Sequence, residues 1–304
     1  MKPNQTDKLL QLSLIPVWLS VGVLWLLHWL PLSLQAAIGN ALGWLLSLWP
    51  GRRRRIVATN LALCFPSTPE SVRRRWLRQT YRASSRALLE HGVLWWGSEA
   101  RQRRLIRIDN PEAALGDGKR PVIWLVPHFV GLDMGGVLLA MDHHIATMYA
   151  PSQNPVSDKM MLHGRSRFAS PVLIAKGSGI KPILKALKSG LPFYYLPDQD
   201  HGRHNAVFVP FFGVPAATVS ALPRLAKLTG AQIIPVVVRQ LPGGGGYRVR
   251  FYPPWDHYPS GDLEADVVRM NTFIEDRIRE MPEQYLWLHR RFKTRPEGEA
   301  SLYE

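Results

Sequence analysis

From Leu9 to Gly51 the chain carries no Asp, Glu, Lys or Arg. A run that long without charge does not make an ordinary water-facing surface, so it must cross a bilayer, lie on one, or be covered by protein. About 20 mostly apolar residues span a hydrocarbon core, and Leu12 to Leu34 supplies them. Trp18, Trp25 and Trp29 suit a membrane interface or a bilayer-buried face, while Pro16 and Pro31 mark a bend and an end. The next piece, Leu32 to Trp49, contains Gln35, Gly39, Asn40 and Gly43, and is expected to be an amphipathic helix resting on the membrane or on the domain. Lys2, Lys8 and Ala36-Ala37 would also suit a signal peptide, but the apolar core exceeds the usual length of about 7–15 residues. The expectation is therefore a single-pass anchor. Arg52-Arg53-Arg54-Arg55 follows and places that side in the cytoplasm by the positive-inside rule. Residues 1–50 are read as membrane anchor and interfacial helix, and residues 51–304 as a cytoplasmic domain.

The charge balance gives a formal +15, a field that favours anionic partners. Nucleic acid is not the expected one: there is no zinc-finger spacing, no aromatic RNA-binding strand and no basic heptad pattern. An anionic membrane surface is, since each arginine beside the apolar run adds about 1 kcal/mol of attraction to acidic lipid. The lone cysteine, Cys64, excludes an intrachain disulfide and offers no thiol cluster to a metal.

Further along, Glu70–Trp96 has helical spacing with Ser67 or Thr68 near its start, and its arginines (Arg73, Arg74, Arg75, Arg78, Arg82, Arg86) read as a solvated or headgroup-facing surface. Strands are expected at 121–126, 145–150, 172–175, 191–196 and 232–238, the last joined through Gly243–Gly246 to a hairpin partner at 247–252. Helices are expected at 131–141, 155–168 and 262–281, one capped by Ser178 and running to Leu187, and one capped by Thr218 and ending at Gly230. This alternation predicts an α/β fold with a mixed, partly parallel sheet flanked by helices.

Chemistry is sought where an apolar strand ends. Val122–Val126 runs into Pro127-His128-Phe129-Val130-Gly131-Leu132-Asp133, and strand ends of open α/β sheets present reactive groups. A His with an acid five residues later is weak alone. Among ten His and 23 acids chance supplies about one, and His257 with Asp262 is such a case. His257 lies among prolines, and Asp262 is better explained as a helix N-cap. On one helix, residues five apart point about 140° away from each other, so His128 and Asp133 must straddle a turn near Gly131. His128 would then act as general base, with Asp133 fixing its tautomer.

Longer segments give the motif its context. Gly164-Arg165-Ser166-Arg167-Phe168, Pro197-Asp198-Gln199-Asp200, Val209 to Thr218 and Gln284 to Lys293, together with His128 and Asp133, resemble the bacterial late lipid A acyltransferases. That lauroyl/myristoyl transferase family lies within the glycerophosphate acyltransferase superfamily. The resemblance implies transfer of a fatty acyl chain from acyl carrier protein to a hydroxyl of a lipid A precursor, at the cytoplasmic face of the inner membrane. It implies no metal and no cofactor beyond the thioester co-substrate. Arg165 and Arg167 offer planar donors to an anionic substrate group. Asp198 and Asp200 are candidates for acceptor binding, or for pairing with Arg165 or Arg203. Arg290, Arg291, Lys293 and Arg295 contact headgroup phosphates or face solvent. Other readings stay open: a lysophospholipid or glycolipid acceptor, a membrane thioesterase, and a non-catalytic basic scaffold.

Overall fold

Pro31 decides the form of the N-terminal stretch. In the structure, a computed structural model describing residue 9 and residues 11–303, the uncharged run folds as two helices, α1 (Ile15–Leu27) and α2 (Leu32–Leu48). Between them Pro31 adopts φ −53°, ψ 144° and has no N–H to continue a helix. At 13 residues, α1 is about 20 Å long, short of a hydrocarbon core of about 30 Å. Among the described residues no helix is long and apolar enough to cross a membrane, so the single-pass anchor expected over Leu12–Leu34 is not supported. Lys2 and Lys8 lie outside the described residues.

Two further helices, α3 (Arg52–Cys64) and α4 (Glu70–Trp96), explain what the run does instead. A Cβ on Gly39 would stand 2.7 Å from the Arg86 Cα, and one on Gly43 2.5 Å from the Arg82 Cα. The glycine stripe of α2 thus lets its backbone lie directly on α4. Arg101 holds the α1–α2 turn by donating to the Leu30 carbonyl at 2.7 Å. The tetra-arginine run opens α3, where Arg54 donates to Ser47 O at 3.0 Å and closes the end of α2. Arg86, expected on a solvated surface, is buried and paired with Glu90 at 2.8 Å.

The remaining elements are α5 (Glu99–Leu105), β1 (Ile106–Asp109), β2 (Val122–Leu125), α6 (Leu132–Asp142), β3 (Ala146–Tyr149), α7 (Pro155–Ser166) and β4 (Val172–Ala175). They continue with α8 (Lys181–Lys188), β5 (Phe193–Tyr195), β6 (Ala206–Phe211), β7 (Val214–Val219), α9 (Ala221–Thr229), β8 (Gln232–Gln240), β9 (Tyr247–Phe251) and α10 (Leu263–Glu280). Seven strands form one sheet in the order β1-β9-β8-β2-β5-β3-β4. All neighbours are parallel except β8 and β9, the expected hairpin. The α/β class with a mixed, mostly parallel sheet is therefore the observed one.

The central strand shows why the runs read as apolar without alternation. Ile123 and Leu125 face one core with Phe193 and Ile233, while Val122 and Trp124 face another with Tyr194 and Ile234. Helices cover both faces, so both sets must be apolar. Cys64 belongs to the first core. Asp262 caps α10 by accepting from Glu264 N and Ala265 N. Two other expected caps do not form. Ser178 bonds the Ala175 carbonyl at 2.6 Å, and α8 starts later, with Pro182 in its first turn. Thr218 lies in β7, paired with Val207 of β6, and α9 follows Ser220. This β6–β7 hairpin turns at Phe212 and Gly213, both at positive φ (51° and 77°), the conformation a tight two-residue turn requires.

Candidate active site

The site follows from strand register. Leu125 of β2 lies beside Tyr195 of the parallel neighbour β5, and Val126 N donates to Tyr195 O at 2.9 Å. Each chain then runs three more residues and delivers a functional group: His128 from β2, Asp198 from β5. Asp198 Oδ1 lies 2.6 Å from His128 Nδ1, and its Oδ2 accepts the His128 backbone N–H at 2.8 Å. Both carboxylate oxygens therefore serve one residue. Burial pushes the Asp198 carboxyl up, but the charge of His128 and its two hydrogen bonds outweigh this and leave it below the usual range. An ionised acceptor on Nδ1 places a proton on that nitrogen, so in the neutral ring Nε2 is the one left unprotonated.

The C-terminal segment clamps this loop. Val130 N donates to Gln284 O at 2.9 Å, and Leu286 N donates to His128 O at 3.0 Å. Gln284 in turn binds the backbone N–H and carbonyl of Gln240 in β8. His128 is thus held by its own strand, by β5 and by a segment more than 150 positions later.

Asp133 does not bond His128. It lies in the first turn of α6, across the turn from the histidine as the spacing requires. Its partners are Arg165 Nη2 at 2.7 Å and His91 Nε2 at 3.4 Å. Burial raises its carboxyl, but Arg165 and His91 together pull it far below the usual carboxylate range. His91, which burial alone would lower, is held above its ordinary value by the hydrogen bond and charge of Asp133. The Nδ1 contact expected of Asp133 is made instead by Asp198, because the β2–β5 register brings that acid to the ring while Arg165 engages Asp133.

His128, Asp133 and Arg165 share the wall of a cavity of about 240 Å³ whose other lining is mostly apolar, including Leu132, Val137, Ala140, Ile145, Met148 and Leu173. Asp133, Gly136–Val137 and Ala140 come from α6 at three-to-four spacing, so one helix face lines it from polar mouth to apolar end. Lining residues from Ile145 to Ala150 run along β3, a length of roughly 16 Å.

Two expected substrate-binding residues are hydrogen-bonded within the fold. Arg167 donates to Leu94 O and Gly97 O at 3.0 and 2.9 Å, fastening the carbonyl end of α4. Asp200 is wholly buried and accepts from Gly202 N, Thr294 N and Thr294 Oγ1. In the C-terminal cluster, Arg291 is buried on Ala217 O and Thr218 Oγ1, and Arg295 binds Pro215 O and Glu299. Among the described residues no group of three His, Cys, Asp or Glu is gathered to hold a metal. Sequence spacing missed His91 and the orienting contact of Asp198. The available signal was the equal three-residue offset of His128 and Asp198 from the ends of two apolar strands.

A mostly parallel α/β sheet presents a His–Asp pair beside an apolar cavity, and sequence comparison supplies the class. Residues 2–294 match the family described as bacterial lipid A biosynthesis acyltransferase. The chain belongs to that family and is an acyltransferase. It is 37% identical over 94% of both chains to the lipid A biosynthesis lauroyltransferase of Escherichia coli (strain K12). Its identity to the palmitoleoyltransferase of the same organism is 34%, also over 94% of both chains. Among solved structures, the 1-acyl-sn-glycerophosphate acyltransferase PlsC from Thermotoga maritima covers 82% of this chain and 98% of its own, at TM-score 0.39 and 12% identity.

Proposed function

We propose that this protein transfers a fatty acyl chain from the thioester of acyl carrier protein to a hydroxyl of a lipid A precursor, forming a secondary acyloxyacyl ester. The observation that carries the chemistry is the His128–Asp198 pair at the mouth of an apolar cavity. The acyl chain lies in the cavity with its thioester carbonyl beside His128. Nε2 takes the proton of the acceptor hydroxyl as the oxygen attacks the carbonyl carbon. The tetrahedral intermediate collapses with cleavage of the C–S bond, and Nε2–H returns its proton to the departing thiolate. Asp198 holds the tautomer and stabilises the imidazolium between the two transfers. Asp133 fixes Arg165 at the cavity wall and keeps its guanidinium charged, so the other N–H groups of Arg165 are available to the oxyanion.

Acyl carrier protein is acidic, and the +15 field favours its docking. The test of the reaction is mass spectrometry of lipid A from cells lacking the protein. One missing acyl chain is the expected result, and unchanged lipid A alongside an altered phospholipid or glycolipid would move the reaction to another acceptor.

The N-terminal helices fit a membrane-surface role. Leu19, Leu26 and Trp29 at α1, and Trp44, Leu45 and Leu48 on α2, are exposed large apolar side chains, with Arg52 and Arg53 immediately following. This apolar face would lie in the plane of an anionic membrane interface, bringing the cavity mouth to its lipid substrate. Introducing Glu at Trp44, Leu45 and Leu48 together is expected to lower partition onto anionic phosphatidylglycerol vesicles by tenfold or more, since each buried Leu is worth about 1.5–3 kcal/mol. Unchanged co-sedimentation would remove this role from α2.

A further inference from the structure

Just beyond the residues that line the cavity stands positive charge that the transfer chemistry does not use. Lys176 directly follows β4, and its backbone N–H donates at 2.8 Å to the carbonyl of Tyr149, a cavity-lining residue. Its side chain therefore starts at the rim. The Lys176 ammonium donates to His201 Nδ1 at 3.1 Å, which leaves the Nε2–H of His201 as a further donor. Lys293 arrives from the C-terminal segment, next to Thr294, whose N–H and hydroxyl bind Asp200 at 2.7 and 2.8 Å. His201 sits three residues beyond Asp198 itself.

The buried carboxylates of Asp200 and Asp198 offset part of this charge, but both are already hydrogen-bonded. Asp198 is committed to His128, and Asp200 to Thr294 and Gly202. Among the described residues neither Lys176 nor Lys293 has a carboxylate partner, whereas Arg165 and Arg295 do. The local potential registers on both neighbouring histidines. Burial, then Lys176, His128 and Lys293, push His201 down to about 4. Burial, then His128, Lys293 and Arg291, push His289 down to about 4 as well.

We propose that Lys176, His201 and Lys293 form an anion subsite at the mouth of the acyl cavity, which binds a phosphate group carried by one of the two substrates. The donors come from three separate chain segments and none is a guanidinium. Point-charge donors from several directions suit a tetrahedral phosphate better than a planar carboxylate, which an arginine fork would match. The subsite rests on the reading of His128 as the centre of acyl transfer. Its phosphate comes either from the glycolipid acceptor or from the phosphodiester of the carrier-protein arm.

The test compares the Lys176→Ala/Lys293→Ala double variant with a control, Lys188→Ala/Lys227→Ala. The control removes two exposed charges that precede β5 and β8, at the opposite ends of the strands. Full-length enzyme is assayed with the phosphorylated glycolipid and its phosphatase-treated form. Donors are acyl carrier protein thioester and an acyl N-acetylcysteamine thioester that lacks phosphate. The expected result is a rise in KM of about tenfold or more for one phosphate-bearing substrate. Its phosphate-free counterpart is unaffected, and kcat stays within about twofold of the control. A rise on the acceptor arm assigns the glycolipid phosphate, and one on the donor arm assigns the carrier arm. Equal changes with and without phosphate, or none, overturn the subsite. If no acyl transfer is detected even in the unmutated protein, the functional reading fails. The subsite is then judged by titrating inorganic phosphate into ¹⁵N-histidine-labelled protein. A phosphate-dependent upward move of the His201 midpoint that the double variant loses sustains it, and a midpoint indifferent to phosphate overturns it.

Discussion

Asp198→Asn is expected to lower kcat for acyl transfer by about 10²- to 10⁴-fold, close to the effect of His128→Ala, while the protein remains folded. In the native site two donors of one residue, the His128 backbone N–H and Nδ1–H, each take one carboxylate oxygen. An amide has only one acceptor oxygen. If that oxygen keeps the backbone N–H, the NH₂ faces Nδ1 and forces the ring proton onto Nε2, where it blocks the base. If it keeps Nδ1, a buried N–H opposes the NH₂. Asp133→Asn leaves an acceptor for Arg165 and does not touch the ring. It is expected to perturb KM and kcat while keeping the His128 tautomer. Steady-state kinetics with ¹⁵N shifts of the His128 imidazole separate the two. A tautomer change in Asp133→Asn, with none in Asp198→Asn, would return the orienting role to Asp133. A thermal melt checks folding.

The second large effect is on acyl-chain selection. Gly136 and Ala140 lie on the cavity face of α6, progressively farther from Asp133. The atoms nearest a Cβ at Gly136 belong to Tyr194, the first at 3.5 Å, so a side chain there has room to start. Ala140→Phe fills the apolar end and Gly136→Leu narrows the middle. Each methylene kept out of the cavity forfeits about 0.8 kcal/mol, so excluding the last three costs about 2.4 kcal/mol, or roughly 50-fold in kcat/KM. Both variants are expected to shift preference to shorter acyl donors, Gly136→Leu more strongly than Ala140→Phe. Competition between donors of different length, read by mass spectrometry of the product, reports the shift. Unchanged selectivity in both would mean that the acyl chain lies elsewhere.

Much of this was legible in the chain because it depends on local chemistry. Val122–Leu125 is apolar at every position because helices cover both sheet faces, and that marked it as a buried strand. Asp262 was recognisable as a cap because a cap bonds N–H groups two and three residues away. His128 was legible through the strand that delivers it. Hydropathy along Leu12–Leu34 reads as one spanning helix, whereas the structure breaks that run at Pro31 into α1 and α2. The β6–β7 hairpin was missed because its turn relies on Phe212, a bulky residue at positive φ that local preference would not place there.

The uncharged opening run, read from sequence alone, committed the N-terminus to apolar surroundings, and the strand before His128 committed that residue to a sheet end. Those are consequences of solvation and of pattern over a few residues. Which acid meets Nδ1 was decided by tertiary structure, since the register of β2 on β5 joins residues 70 positions apart. The same holds for the seat of α2, whose Gly39 and Gly43 lie directly on the backbone of α4. Hydrogen-bond pairing across strands and contact between helix backbones are set by the folded sheet and core, and no local run of residues encodes them.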